Sequence, residues 1–278
     1  MFHPPVFVFL LCLPTVLSVP SVYSKVSESP DAKRVVEVRI YINETRDGKQ
    51  VLGNTTICSG VLLAEDIVAT AAHCRHPDWP LAKYFVRLGE QEVPVASYYG
   101  KTPTLEECND NALLILEKNI TVQTASPLYV YCGEVSDLED CAGYGYGLTE
   151  HNAKSREVRE AHYTVRKRQQ SDEYGTNSCL MASYHSKAKM CYGDSGGPTI
   201  CKFQGLSTLV GVSSQIQAYV DGTSPKINTV EEAVSFCKLS SDLLLAKSVN
   251  MIRLLNEIPG GDRKYILNRI KTMHCYVK

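Results

Sequence analysis

Alternation of apolar and polar residues governs most of the chain. In VVEVRIYI, residues 35–42, every second position from Val36 onward is apolar and mostly β-branched, the pattern of a strand with one buried face. Asp47-Gly48 supplies a turn, and a second strand follows that ends at Cys58, so this region reads as a hairpin. SGVLLAEDIVATAAHC, 59–74, reads as two more short strands about the turn Ala64-Glu65-Asp66. NALLILEK, DCAGYGYG and STLVGVSS continue the pattern, and short strands with frequent turns predict an all-β sandwich or barrel. Beyond Thr229 the period changes. Over 230–258, Leu244, Leu245, Val249, Ile252 and Leu255 recur at helical spacing, which predicts a C-terminal helix broken by Pro259-Gly260-Gly261. A second helical stretch, 262–274, closes the chain. In this tail Arg263, Lys264, Arg269, Lys271 and Lys278 outnumber Asp262, the composition of a solvated basic face or of a surface-interaction patch. No internal repeat or low-complexity tract interrupts the order.

Composition narrows the class. A chain of 278 residues with 44% hydrophobic content can bury one sizeable core or two small barrels packed together. Its 29 basic and 30 acidic residues leave a formal charge of −1, so there is no bulk electrostatic reason for a nucleic-acid partner. An apolar run at 6–13 has signal-peptide length, and Pro14 with small residues at Ser18, Ser21 and Ser24 follows it. Residues 1–24 therefore read as a signal peptide with its boundary between 18 and 24, and the chain as secreted. The run is too short to cross a bilayer, and no later segment reads as a membrane span. Of 11 cysteines, loss of Cys12 with the signal leaves an even number, which in an exported chain reads as disulfides. No CxxC pair or His-x-x-x-His cluster is present, so neither a metal nor another cofactor is expected. Asn43, Asn54 and Asn119 each open a glycosylation sequon.

Three short motifs carry chemistry. Acyl transfer to a serine hydroxyl needs a base, a carboxylate that orients the base, and backbone N–H groups aimed at the developing oxyanion. Ser195 in Gly193-Asp194-Ser195-Gly196-Gly197-Pro198 is the candidate nucleophile, with the N–H groups of Gly193 and Ser195 as the oxyanion hole. His73 in TAAHC is the candidate base. Asp110 in NDNALL, just ahead of a buried strand, is the candidate carboxylate. Each residue alone has a bland reading as a turn or structural residue; their conjunction in an exported chain does not.

TAAHC, NDNALL and GDSGGP, in that order, resemble the chymotrypsin-like (trypsin-fold) serine proteases, over about residues 35–258. The resemblance implies two packed six-stranded antiparallel β-barrels with the catalytic residues in the cleft between them. To these the helical pattern adds a C-terminal α-helix and a short helical extension, giving a protease domain over 25–258 and an extension over 259–278. CAGYGYGLT, 141–149, is similar to the family's Cys-x-x-x-Gly-Trp-Gly segment, and LVGVSS, 209–214, to the strand that pairs with substrate, whose serine, here Ser214, binds the buried aspartate. The implied partners are protein or peptide substrates and protein protease inhibitors. Among disulfides, Cys58–Cys74 and Cys141–Cys201 match family bridges and Cys132–Cys237 resembles one. Cys191 lacks its usual partner soon after Ser214, which leaves Cys179–Cys191 and Cys108–Cys275 as the nearest solution.

Departures from the family concern activation and specificity. Members of the family are zymogens, activated by cleavage that frees an Ile/Val-Val-Gly-Gly terminus whose ammonium pairs with the residue matching Asp194; no such tetrapeptide occurs here. Cleavage after Lys25 would expose Val26, and cleavage after Arg34 would expose Val35. By resemblance Lys189 lies at the base of the pocket for the side chain preceding the scissile bond, where trypsin has an aspartate, so trypsin-like specificity is not expected. With Lys226 as a second pocket-wall position the pocket would favour an acidic side chain, and Ile216 would narrow its entrance; the alternative is that Lys189 points to solvent. An inactive protease fold acting as a binding protein is the competing functional reading.

Overall fold

The computed structural model describes residues 24–46, 49–76, 80–100, 109–122, 125–168, 179–217 and 227–275. The proposed signal peptide up to residue 23, Cys108 and Lys226 lie outside these residues. A short first strand, β1 (Lys25–Val26), precedes six strands that form one closed antiparallel barrel: β2 (Val35–Arg46), β3 (Lys49–Ala64), β4 (Ile67–Thr70), β5 (Tyr84–Leu88), β6 (Gln91–Gly100) and β7 (Ala112–Leu116). Further along follow β8 (Leu128–Tyr131), β9 (Glu139–Gly145), β10 (Arg159–Lys167), β11 (Cys179–Tyr184), β12 (Pro198–Phe203), β13 (Leu206–Gln217), α1 (Val230–Leu239), β14 (Asp242–Lys247), α2 (Ser248–Leu254), α3 (Gly260–Leu267) and β15 (Lys271–Met273). A second barrel closes through the order β12-β9-β10-β11-β14-β13, with β13 returning to pair with β12. Two closed six-stranded barrels are therefore present, as the motif order implied.

Strand periodicity sorts side chains between three cores. In β7, Leu114 and Leu116 point into the first barrel, whereas Leu113 and Ile115 join the interface between barrels. β4 divides in the same way, Val68 inward and Ile67 with Ala69 outward. Because successive side chains leave a strand on opposite faces, an unbroken run such as ALLIL serves two cores at once. Tyr163, Leu180, Val210, Leu243 and Leu245 fill the second barrel. The inter-barrel core also takes up Met251, Ile252, Leu255, Ile258, Ile266 and Ile270 from the C-terminal elements.

The C-terminal region differs from the expected continuous helix. Leu244 and Leu245 lie in strand β14, which pairs with both β11 and β13. An apolar run buried on two faces looks helical and extended alike in sequence, and the free edges of the barrel decide for the strand. α2 and the 3-10 turn that follows it end at Glu257, just ahead of Pro259, but Gly260 and Gly261 open α3, and the expected helix over 262–274 ends at Leu267, giving way to β15. β15 runs parallel to β8, with Met273 opposite Tyr131. The 259–275 segment is thus woven into the protein: Arg269 donates to the buried Asp66 carboxylate at 2.9 Å, Tyr265 also reaches Asp66, and Tyr99 reaches Asp262.

Disulfides Cys58–Cys74 and Cys141–Cys201 are present. The other three pairings expected from the sequence are corrected. Parallel pairing of β15 with β8 carries Cys275 to Cys132, Cα to Cα 5.0 Å, so neither Cys132–Cys237 nor Cys108–Cys275 forms. α1 carries Cys237 against the loop before Ser195, where it bonds Cys191 at a Cα separation of 5.4 Å; Cys179–Cys191 is therefore excluded. Cys179 is itself disulfide-bonded.

Candidate active site

Two barrels contribute to one cleft of about 750 Å³ between them. His73 sits in a short 3-10 turn (Ala72–Cys74) directly after β4, and the Cys58–Cys74 bridge ties that turn to β3. Tyr98 of β6 donates to the Ala72 carbonyl at 2.7 Å, steadying the turn from a second side. Asp110 leads into β7, whose two buried faces hold the carboxylate at the barrel interface, 1% exposed. Its Oδ1 accepts the backbone N–H of His73 at 2.8 Å, and its Oδ2 lies 2.6 Å from His73 Nδ1. Ser214 of β13, in the second barrel, donates to the same Oδ2 at 2.6 Å. Three polar contacts thus converge on one buried carboxylate, the arrangement that satisfies it and fixes the orientation of the imidazole.

Ser195 lines this cleft together with His73. Its backbone is anchored across the barrels: its carbonyl accepts the Ser59 N–H at 2.8 Å, and the next N–H, of Gly196, reaches the Ser213 carbonyl at 2.7 Å. Gly196 has φ of +77°, and a Cβ there would lie 2.1 Å from Thr70 Oγ1 and 2.5 Å from the Ser59 carbonyl. Glycine is thus required both for the left-handed turn and for the close approach of the barrels. Gly193, φ +98°, precedes Asp194, whose side chain is buried inward beneath the loop. Asp194 Oδ1 accepts Gly147 N–H and Oδ2 accepts Cys191 N–H, both at 2.7 Å. Burial raises the Asp194 pKa to about 6, against the opposing pull of these two donors and of Lys154 and Arg159.

The expected pocket residues separate. Ser214 and Ile216 line the cleft, with Met190, Ile227, Phe236 and Leu243 beside them. Lys189 is not among the lining residues: its ammonium donates to the Ser240 carbonyl at 2.7 Å and lies 4.4 Å over the Tyr184 ring. Burial lowers its pKa, with Asp242 opposing. Of the sequons, Asn119 is exposed and donates to Glu65, while Asn43 and Asn54 fall in β2 and β3. His73, Cys58 and Cys74 form a tight cluster of potential metal donors, but the two sulfurs are joined to each other, so the cluster offers a single ligand.

Sequence reasoning missed Ser59, whose hydroxyl donates to the Gly193 carbonyl at 2.9 Å and accepts the Tyr146 N–H at 3.0 Å. It also missed Phe236, brought to the cleft by α1, and Lys154, which lines it beside Gly193. Cys237, next to Phe236, was the available signal, because a cysteine in an otherwise amphipathic helix marks where that helix is tied down.

The Trypsin family model matches residues 29–234. Granzyme B(G,H) of Mus musculus is 29% identical over 209 residues, 67% of this chain and 77% of that protein. Kallikrein-8 of Homo sapiens is 27% identical over 180 residues, 56% of this chain and 67% of that protein. An ovochymase of Halocynthia roretzi is 24% identical over 217 residues, 64% of this chain but 14% of that larger protein. With two closed barrels, a cleft between them and a family match over most of its length, the chain belongs to the trypsin family of chymotrypsin-like serine proteases.

Proposed function

We propose that this protein is a secreted serine endopeptidase acting through His73, Asp110 and Ser195. The observation that carries the reading is the continuous bonding from Ser214 through Asp110 to His73, in a cleft that His73 shares with Ser195. Ser195 Oγ attacks the scissile carbonyl while His73 takes its proton; Asp110 holds the Nδ1–H and stabilises the imidazolium. The carbonyl oxygen, now negative, accepts hydrogen bonds from Gly193 and Ser195 N–H. Collapse returns the proton from His73 to the leaving amine and forms the acyl-enzyme, and water then repeats the sequence to release the acid. The signal peptide at 1–24 and the disulfides fit export, and among the described residues no helix is long and apolar enough to cross a membrane.

Specificity follows from what lines the cleft rather than from Lys189. Met190, Ile216, Ile227, Phe236 and Leu243 offer an apolar surface, whereas the Lys189 ammonium is engaged by Ser240 and Tyr184. The favoured residue before the scissile bond is therefore apolar, not acidic. Burying such a side chain contributes about 1.5–3 kcal/mol, or roughly 10- to 150-fold in kcat/KM. The test is a peptide series varying only at that position, run beside Ser195→Ala. Leu, Phe or Met should exceed Glu and Arg by at least about tenfold, and the alanine variant should lose turnover and fluorophosphonate labelling while melting normally. Preference for Glu would return Lys189 to the pocket base, and turnover surviving in Ser195→Ala would overturn the peptidase reading.

A further inference from the structure

Both amino termini suggested by the sequence are committed elsewhere in the fold. Val35 is fully buried at the start of β2, paired with Val61, so freeing it would unmake the inter-barrel core. Val26 sits in β1, 42% exposed and opposite Arg159 of β10. The chain on either side is pinned there: Ser27 N–H reaches the Val158 carbonyl at 2.9 Å, and Arg159 bonds the Ser24 carbonyl and hydroxyl. Asp194, by contrast, is buried, and both of its oxygens are already occupied by Gly147 and Cys191 N–H.

The loop that forms the oxyanion hole is ordered from another direction. Residues 147–155 make a tight hairpin, closed by Thr149 N–H to the Ala153 carbonyl at 2.9 Å and Ser155 N–H to the Gly147 carbonyl at 3.0 Å, with Leu148 bridged to Lys154. From this hairpin Leu148 N–H donates to the Tyr192 carbonyl at 2.8 Å. The Tyr192 C=O and the Gly193 N–H belong to one planar trans peptide and point in opposite directions, so this bond turns the Gly193 N–H away from the hairpin. Ser59 fixes the following carbonyl, that of Gly193. Lys154 is exposed along much of its length, yet its Nζ lies 3.4 Å from where a Gly193 Cβ would be. Its charge and that of Arg159 both favour the ionised Asp194. Loss of water around the Lys154 ammonium lowers its pKa, and Asp194 opposes this.

We propose that this chain carries its own activator: the 147–155 hairpin, through the Leu148 N–H and the Lys154 ammonium, holds Asp194 and the Tyr192–Gly193 peptide in their working positions without a newly freed amino terminus. The proposal rests on Ser195 being the nucleophile of a peptidase. Lys154 is a positioning residue in it, touching the loop and not the reacting atoms.

The test uses the full secreted chain, with its natural amino terminus determined by sequencing, and the same chain extended at that terminus by a short Gly-Ser segment. Fluorophosphonate labelling and turnover of a neutral peptide are measured for both, and for Lys154→Met and Lys154→Arg. Extension should change the labelling rate less than about twofold, whereas Lys154→Met should lower labelling and kcat by at least about tenfold with KM little altered, and Lys154→Arg should recover most of the loss. Melting temperatures establish that each variant is folded. Loss of labelling on extension overturns the proposal, as does parental labelling in Lys154→Met or a loss confined to KM. Labelling absent from every folded form, the natural terminus included, overturns the peptidase reading and the proposal with it.

Discussion

Replacing Asp110 with asparagine probes the centre of the site without changing its shape. The carboxylate accepts from three donors: the His73 backbone N–H on Oδ1, and His73 Nδ1 with Ser214 Oγ on Oδ2. An amide has one oxygen and one NH₂ to place in these two positions. The backbone N–H cannot turn away, and a donor facing it would leave both buried and unpaired at a cost of about 1–3 kcal/mol each. The Ser214 hydroxyl can rotate, and the imidazole can move its proton to the other nitrogen. The amide oxygen therefore settles on the backbone side, its NH₂ faces Nδ1, and the imidazole carries its proton on Nε2. In that tautomer His73 cannot accept the proton of Ser195. The expected loss is about 10⁴-fold in kcat, or about 5 kcal/mol of transition-state stabilisation. Fluorophosphonate labelling at neutral pH reads the nucleophile directly, and peptide turnover gives kcat and KM separately. KM should change little, since Asp110 lies behind His73 and does not line the cleft. A variant within about tenfold of the parent, folded and labelling normally, would refute the assignment of Asp110 as the orienting carboxylate.

Two further expectations concern stability. Asp194 is raised from 3.8 to about 6, chiefly by burial, so its ionised form costs about 3 kcal/mol at neutral pH, a penalty that fades as the pH falls from about 6 to about 4. The parent should therefore gain stability relative to Asp194→Asn by about that amount between pH 7 and pH 4 in chemical denaturation; a difference independent of pH would contradict the raised value. The Cys132–Cys275 bridge joins residues 143 apart in sequence and ties β15 to β8. Its removal by paired serine substitutions should cost about 2–5 kcal/mol in denaturation while labelling of Ser195 persists at 25 °C, and an unchanged denaturation midpoint would show that β15 is held by its other contacts alone.

What was legible in the sequence was local. TAAHC, NDNALL and GDSGGP each place the residue proposed as catalytic by short-range geometry: a turn after a strand, a carboxylate before a doubly buried strand, a glycine-permitted turn about Ser195. Alternation likewise fixed the faces of β2, because one buried face imposes a period of two on any strand. The tertiary structure decided everything that depends on a distant partner. DLLLAK became β14 because two barrel edges stood ready to pair with it, which no period within the run can reveal. Cys275 found Cys132, and Cys237 found Cys191, because β15 and α1 brought them within bonding distance. Lys189 does not line the cleft for the same reason: a half-buried ammonium turns to the acceptor that compensates its lost water, and that acceptor, the Ser240 carbonyl, stands 51 residues away along the chain.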